Sequence, residues 1–198
     1  FGGETHAYSV AFADDEIDEV VAHCDKIIFN SVNQLVRFEG RAGGKPLGLR
    51  LNPGLSVSGH DLADPARPFS RLGESDPARI LSVVDRLDGV MIHNNCENAE
   101  FERFDALLTQ TEQRYAEVFE RVDWVSLGGG ISFTAPGYAL DAFCQRLRRF
   151  AQRHRVNVVP RTGGTAAAGG GSTGVPIDRS THPPSNASHS GLYASSRS

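Results

Sequence analysis

Residues 124–130 read W-V-S-L-G-G-G, an apolar run from Trp124 to Leu127 that stops on three consecutive glycines, Gly128, Gly129 and Gly130. A buried strand ending this way leaves backbone N–H groups that no Cβ shields, and such a concavity suits the oxygens of a phosphate. A plain glycine turn after a core strand fits the same letters. The surrounding chain has to decide between the two.

Outward from that run, one pattern repeats. Thr5–Val10 reads as a strand, and Asp14, Asp15 and Glu16 make an acidic start for a helix carrying Ile17, Val20, Val21 and Cys24 at helical spacing. Ile27–Phe29 is a second strand, and Ser31 suits the N-cap of a helix with Leu35 and Phe38 on its inner side. Leu47–Asn52 is a third strand. Asp76-Pro77 opens a helix with Ile80, Val83, Val84 and Leu87 on one face, followed by a fourth strand, Gly89–His93. The spacing of Phe101, Phe104, Leu107, Leu108, Tyr115, Val118 and Phe119 predicts a long amphipathic helix over 99–122. Trp124–Leu127 is the fifth strand, 138–155 another helix and Val156–Val159 the sixth strand.

Short, nearly continuous apolar runs of this kind mark parallel strands buried on both faces. Their alternation with helices fits either a doubly wound sheet or part of a β/α barrel. In both, ligands meet the carboxyl ends of the strands. Arg50, Asn52, His93, Asn94, Asn95 and the glycine triplet collect there, so a single site is expected. Residues 53–75 show neither period, and a loop this long is functional or disordered.

Composition sets outer limits. A chain of 198 residues with 39% hydrophobic residues can hold one domain with a real core. Its formal charge of −4 argues against nucleic acid or an anionic membrane as partner. No apolar run approaches the roughly 20 residues that span a bilayer, and no signal-peptide pattern opens the chain. Cys24, Cys96 and Cys144 lack C-x-x-C spacing and are odd in number, which fits a reducing, cytoplasmic setting. His93 and Cys96 lack the further ligands a metal site needs. Because the chain begins at Phe1, directly before a strand, it reads as a fragment. Past Pro160 it turns to Gly, Ala, Ser, Thr, Pro and Arg, so residues 1–159 are expected to form the ordered domain and 160–198 a disordered tail.

Three stretches carry a resemblance when taken together: D-L-A-D-P-A-R-P-F-S-R-L-G at 61–73, H-N-N-C-E-N at 93–98 and W-V-S-L-G-G-G-I at 124–131. With T-H-A-Y-S-V-A-F, I-F-N-S and G-L-R-L-N-P-G they resemble, in order and spacing, the carboxynorspermidine decarboxylases. The similarity runs from about Phe1 to Val158. It implies a partial β/α (TIM-like) barrel of the alanine racemase/ornithine decarboxylase N-terminal type, binding pyridoxal 5'-phosphate. It also implies decarboxylation of carboxynorspermidine or carboxyspermidine in polyamine synthesis by a homodimeric parent enzyme. By the same resemblance, Gly128, Gly129 and Gly130 hold the cofactor phosphate, His93 lies against its ring and Arg50 stands near its phenolic oxygen. Asn95, Cys96, Glu97 and Arg71 are the candidates for holding the carboxylated polyamine. Each assignment also suits the residue: a glycine cup for a dianion, a flat imidazole for a flat ring and a guanidinium for a phenolate.

Two departures from the family's pattern limit what this chain does. Such decarboxylases hold the cofactor through a lysine, and the only lysines here are Lys26, which opens a strand, and Lys45, which precedes one. The family's lysine belongs on an earlier strand, upstream of Phe1, so no catalytic residue is assigned and the fragment is expected to be inactive. The family also continues its last matching strand as V-x-V-Y-L-E-P-G-E-A, where this chain has V-N-V-V-P-R-T-G-G-T. Codons for Tyr-Leu-Glu-Pro-Gly displaced by one inserted base read Val-Pro-Arg-Thr-Gly, as 159–163 do, so 160–198 reads as an out-of-frame translation. A diaminopimelate or ornithine decarboxylase of the same fold is the nearest alternative. A catalytically silent phosphate- or cofactor-binding module is another, and a sugar-phosphate barrel enzyme is a third that rests on the glycine cup alone.

Overall fold

The computed structural model describes residues 3–55, 69–94 and 98–160. The expectations for Asn95, Cys96 and Glu97, for most of the 61–73 stretch and for the tail lie outside these residues. Six strands are present: β1 (His6–Tyr8), β2 (Lys26–Phe29), β3 (Leu47–Leu51), β4 (Gly89–Ile92), β5 (Trp124–Ser126) and β6 (Asn157–Val159). Five α-helices connect them: α1 (Ile17–His23), α2 (Val32–Phe38), α3 (Pro77–Leu81), α4 (Phe101–Phe119) and α5 (Leu140–His154).

Strand order decides the architecture. Every strand pairs in parallel with the next one in sequence, giving the order β1-β2-β3-β4-β5-β6. A doubly wound sheet needs a reversal of order, which sends helices to both faces. Here every crossover runs the same way and, being right-handed, delivers its helix to one side. The sheet is a half-barrel.

The two faces have different contents. Ile27, Phe29, Leu47, Leu49, Leu51, Val90, Ile92, Val125 and Val158 pack outward against Leu35, Phe38, Phe104, Phe119 and Phe150 of the helices. The alternate residues Ile28, Met91 and Trp124, with Tyr8, form a separate inner cluster. Gly48 and Gly89 stand beside Trp124 on that inner face. A Cβ at Gly48 would lie 2.5 Å from the indole Cη2, and one at Gly89 would run into Cδ2 and Cε2. The indole fills the volume those side chains would need, so both positions require glycine.

Helix ends follow their local chemistry. The Ser31 hydroxyl accepts the Gln34 N–H at 3.3 Å, and the Asp76 carboxylate caps α3 by accepting the Ala78 N–H at 2.9 Å. The helix expected through Leu87 stops at Leu81 instead. Val83 leaves helical geometry (φ −124°) and a 3₁₀ turn, Val84–Arg86, follows. This tighter turn brings both Val83 and Val84 into the core and aims Leu87 along the approach to β4. Along α4 the expected apolar stripe is buried from Phe104 to Phe119, together with Thr111 and Glu112, while Phe101 at the helix start is only partly buried. Glu112 meets three side chains of α5: Arg146 at 2.8 Å, His154 at 2.8 Å and Arg153 at 3.0 Å. Burial pushes its carboxyl up, but the hydrogen bonds from His154 and Arg146 and the nearby charges outweigh this and hold it below its ordinary value. No helix of the described residues is long and apolar enough to cross a membrane.

Candidate functional site

The carboxyl ends of β3, β4 and β5 bring the predicted residues to one rim. Alternation puts Arg50, His93, Ser126 and Gly128 on the inward side, continuing the series that Met91 and Trp124 begin. Gly128 (φ 64°) turns the chain directly against the end of β4. A Cβ there would lie 2.7 Å from the Ile92 carbonyl oxygen and 2.9 Å from both Cα and Cβ of His93. The glycine is required twice over, by its left-handed backbone and by the closeness of the neighbouring strand. Imidazole and glycine turn therefore share one wall.

The triplet is anchored outside its own N–H groups. Asn98 N–H donates to the Gly130 carbonyl at 2.7 Å, and Ser132 N–H donates to the Asn98 carbonyl at 2.9 Å. On the other side, Leu127 N–H reaches the Val159 carbonyl at 3.0 Å. No backbone hydrogen bond among the described residues takes up the N–H groups of Gly128, Gly129 or Gly130. Gly130 is also left-handed, at φ 94°. A turn held through the Gly130 carbonyl, with Gly128 and Gly130 both left-handed, can present backbone N–H groups to an anion.

Arg50 is buried, at 5% exposure, and held on two sides. One Nη donates to the Tyr8 hydroxyl, the other to the His93 carbonyl at 3.2 Å, and the guanidinium lies 5.2 Å from the centre of the Tyr8 ring. Its Nε has no partner among the described residues, nor does Ser126 Oγ, which faces inward two residues before Gly128. Buried polar atoms without partners are uncommon, and a polar ligand at this rim would supply them.

Arg71 joins this group through its backbone only. Its side chain is exposed, while its carbonyl accepts from Asn30 Nδ2 at 2.7 Å. Lys26 and Lys45 lie at the opposite, amino ends of the strands: Lys26 pairs with Glu4 at 2.8 Å and stands 5.2 Å over Trp124, and the Lys45 N–H closes a turn onto Ala42. Sequence reasoning missed Tyr8, Asn30, Gly73 and Ser126. Ser126 was discoverable from its two-residue offset to Gly128. The other three were not, because their partners lie 22 to 43 residues away.

Known proteins share this chain's sequence pattern and fold. The chain is 77% identical over 158 residues to a carboxynorspermidine/carboxyspermidine decarboxylase of Herminiimonas arsenicoxydans, covering 80% of this chain and 43% of that protein. Over those residues the chain resembles the carboxynorspermidine/carboxyspermidine decarboxylases. A crystal structure of the family from Campylobacter jejuni, complexed with norspermidine, superposes with a TM-score of 0.71 at 28% identity, over 81% of this chain and 41% of that one. A carboxyaminopropylagmatine decarboxylase of Synechocystis is 30% identical over 78% of this chain and 40% of its own length. The chain thus spans less than half the length of these family relatives. No protein-family model matches it.

Proposed function

We propose that this chain forms the cofactor-holding half of a pyridoxal-phosphate-dependent decarboxylase acting on carboxynorspermidine or carboxyspermidine. The observation that carries the cofactor reading is the contact between Gly128 and His93 at one rim. One ligand touching both must offer an anionic group to the glycine turn and a flat face to the imidazole. Pyridoxal phosphate has both, and the partnerless Nε of Arg50 and Oγ of Ser126 on the same side fit its polar ring substituents.

In this reading the N–H groups of Gly128–Gly130 bind the phosphate and His93 covers the ring. Arg50 balances the phenolate charge. When bound, the cofactor supplies an electron sink for the pair left behind as the carboxylate departs. What the chain's own residues do is fix the ring's angle and keep water from its faces. The choice of a carboxylated polyamine as substrate rests on the likeness to the Herminiimonas relative, and Glu97 is the candidate partner for its cationic amines.

The chain by itself is inactive in this proposal, because neither lysine stands at the rim. Incubation with pyridoxal phosphate and borohydride is the test. We expect reversible binding, competed by inorganic phosphate and lost in Gly128→Ala, with no pyridoxyl group fixed on Lys26 or Lys45. Fixation at either lysine together with carbon dioxide release from carboxynorspermidine would overturn the claim of inactivity. Absence of phosphate-competed binding would overturn the cofactor claim.

A further inference from the structure

Behind Arg50 stands a hydrogen-bonded chain that the proposed chemistry does not use. The Tyr8 hydroxyl is 2.9 Å from Asn30 Oδ1, which also accepts the Gly73 N–H at 2.9 Å, while Asn30 Nδ2 donates to the Arg71 carbonyl at 2.7 Å. Asn30 is buried, and its own N–H is taken by Gln34 Oε1 at 2.7 Å. The direction of each bond follows from the groups themselves. A backbone N–H can only donate and a carbonyl can only accept, so Gly73 and Arg71 together dictate which end of the Asn30 amide is oxygen. That oxygen faces Tyr8, so the Tyr8 hydroxyl must donate toward it. Its lone pairs are then turned to Arg50, whose Nη donates into them.

We propose that Asn30 is a positioning residue for Arg50. It orients the Tyr8 hydroxyl proton, and by the same amide it ties residues 71–73 to the point that sets the guanidinium. Gly73 is packed hard into this junction: a Cβ there would lie 3.0 Å from the Leu51 carbonyl carbon and 3.1 Å from Arg50 Cγ, and its φ is 88°. The segment continues into Glu74, whose N–H donates to the Arg50 carbonyl at 2.8 Å and whose carbonyl accepts from Asn52 at 2.8 Å. The end of β3 is thereby clamped on its backbone by 73–74 and on its side chain by Tyr8. A shift of the 71–73 segment reaches the Arg50 guanidinium through the Asn30 amide and the Tyr8 hydroxyl, and the Arg50 backbone through Glu74.

The consequence for ligand binding rests on the cofactor reading above, so the test is built on a signal that needs no cofactor. In the full chain labelled with ¹⁵N-arginine, Arg50 should give a guanidinium resonance displaced from the exposed arginines, with slowed rotation. Asn30→Leu should return it toward the exposed set and speed exchange of the Gly73 amide about tenfold or more. Tyr8→Phe should do the same to Arg50, and adding Asn30→Leu to it should change the Arg50 signal no further, since Asn30 acts through the hydroxyl. Asn30→Asp, which keeps an acceptor for Tyr8 and Gly73, should restore slow rotation if Asn30→Leu loses it or fails to fold. Unaltered Arg50 signals in Asn30→Leu, or an additive double variant, would overturn the proposal and leave Asn30 as a loop tie only. Pyridoxal phosphate affinity, measured alongside, should fall about tenfold in Tyr8→Phe. Should the Arg50 signal respond while affinity does not, the positioning stands and the placement of Arg50 at the cofactor falls.

Discussion

Gly128 and His93 are in contact across two adjacent strands: the position of a Cβ on Gly128 is 2.9 Å from both Cα and Cβ of His93. Because β4 and β5 pair in parallel as far as Met91 and Ser126, Gly128 and His93 leave the sheet side by side, each two residues past that last pair. Gly128→Ala must therefore distort either the φ of 64° or the end of β4. We expect a loss of about 2–4 kcal/mol in urea unfolding, from left-handed strain and overpacking together, and loss of phosphate-competed binding. A variant as stable as the wild type that still binds would contradict the proposed wall.

On the inner floor, Gly89→Ala faces the indole of Trp124 with no room to yield. A destabilisation of about 1–3 kcal/mol or more is expected from overpacking, and Trp124→Leu introduced with it should recover part of that loss. Thermal unfolding of the single and double variants measures this. Equal losses in both would show that the indole is not what excludes a side chain at position 89.

The cluster around Glu112 makes stability depend on pH in a definite direction. Its carboxyl is held below the ordinary value of 4.5 in the folded chain, so its contribution is fully present above that value and disappears as pH falls through the lower folded one. In Glu112→Gln the fall in melting temperature on acidification below about pH 4.5 should be shallower than in the wild type. At neutral pH the same variant removes the charge facing Arg146 and Arg153 but keeps an amide oxygen as acceptor, and Arg146 keeps Asp105 at 2.6 Å, so a loss of about 1–3 kcal/mol is expected. Parallel acid-melting curves for the two proteins would sink this account.

Tyr138 presents the opposite case. Its hydroxyl is buried without a partner among the described residues, and burial, helped by the charge of Glu102, pushes it up to about 12. Removing an unsatisfied hydroxyl while keeping the ring that packs edge-on to Phe143 at 5.8 Å should cost nothing. Tyr138→Phe is expected to match or exceed wild-type stability by up to about 1 kcal/mol in urea. A clear loss would reveal a hydrogen bond to the hydroxyl in solution.

What could be read from the letters alone were features with a short period or a local cause. Short, nearly continuous apolar runs marked the strands as parallel and buried on both faces, the 3.6-residue stripe marked α4, and Ser31 and Asp76 marked helix starts. Glycines 128–130, ending an apolar run, marked the rim. Periodicity left open the choice between a doubly wound sheet and a half-barrel, because both contain the same strands and helices and differ only in which strands pair; the resemblance implied the barrel, and the strand order bears it out. Only the three-dimensional fold laid Trp124 over Gly48 and Gly89, set Glu112 among the cations of α5 and joined Gly73 to Arg50 through Asn30 and Tyr8. These contacts join residues 22 to 76 positions apart, and chain periodicity carries no information at that range.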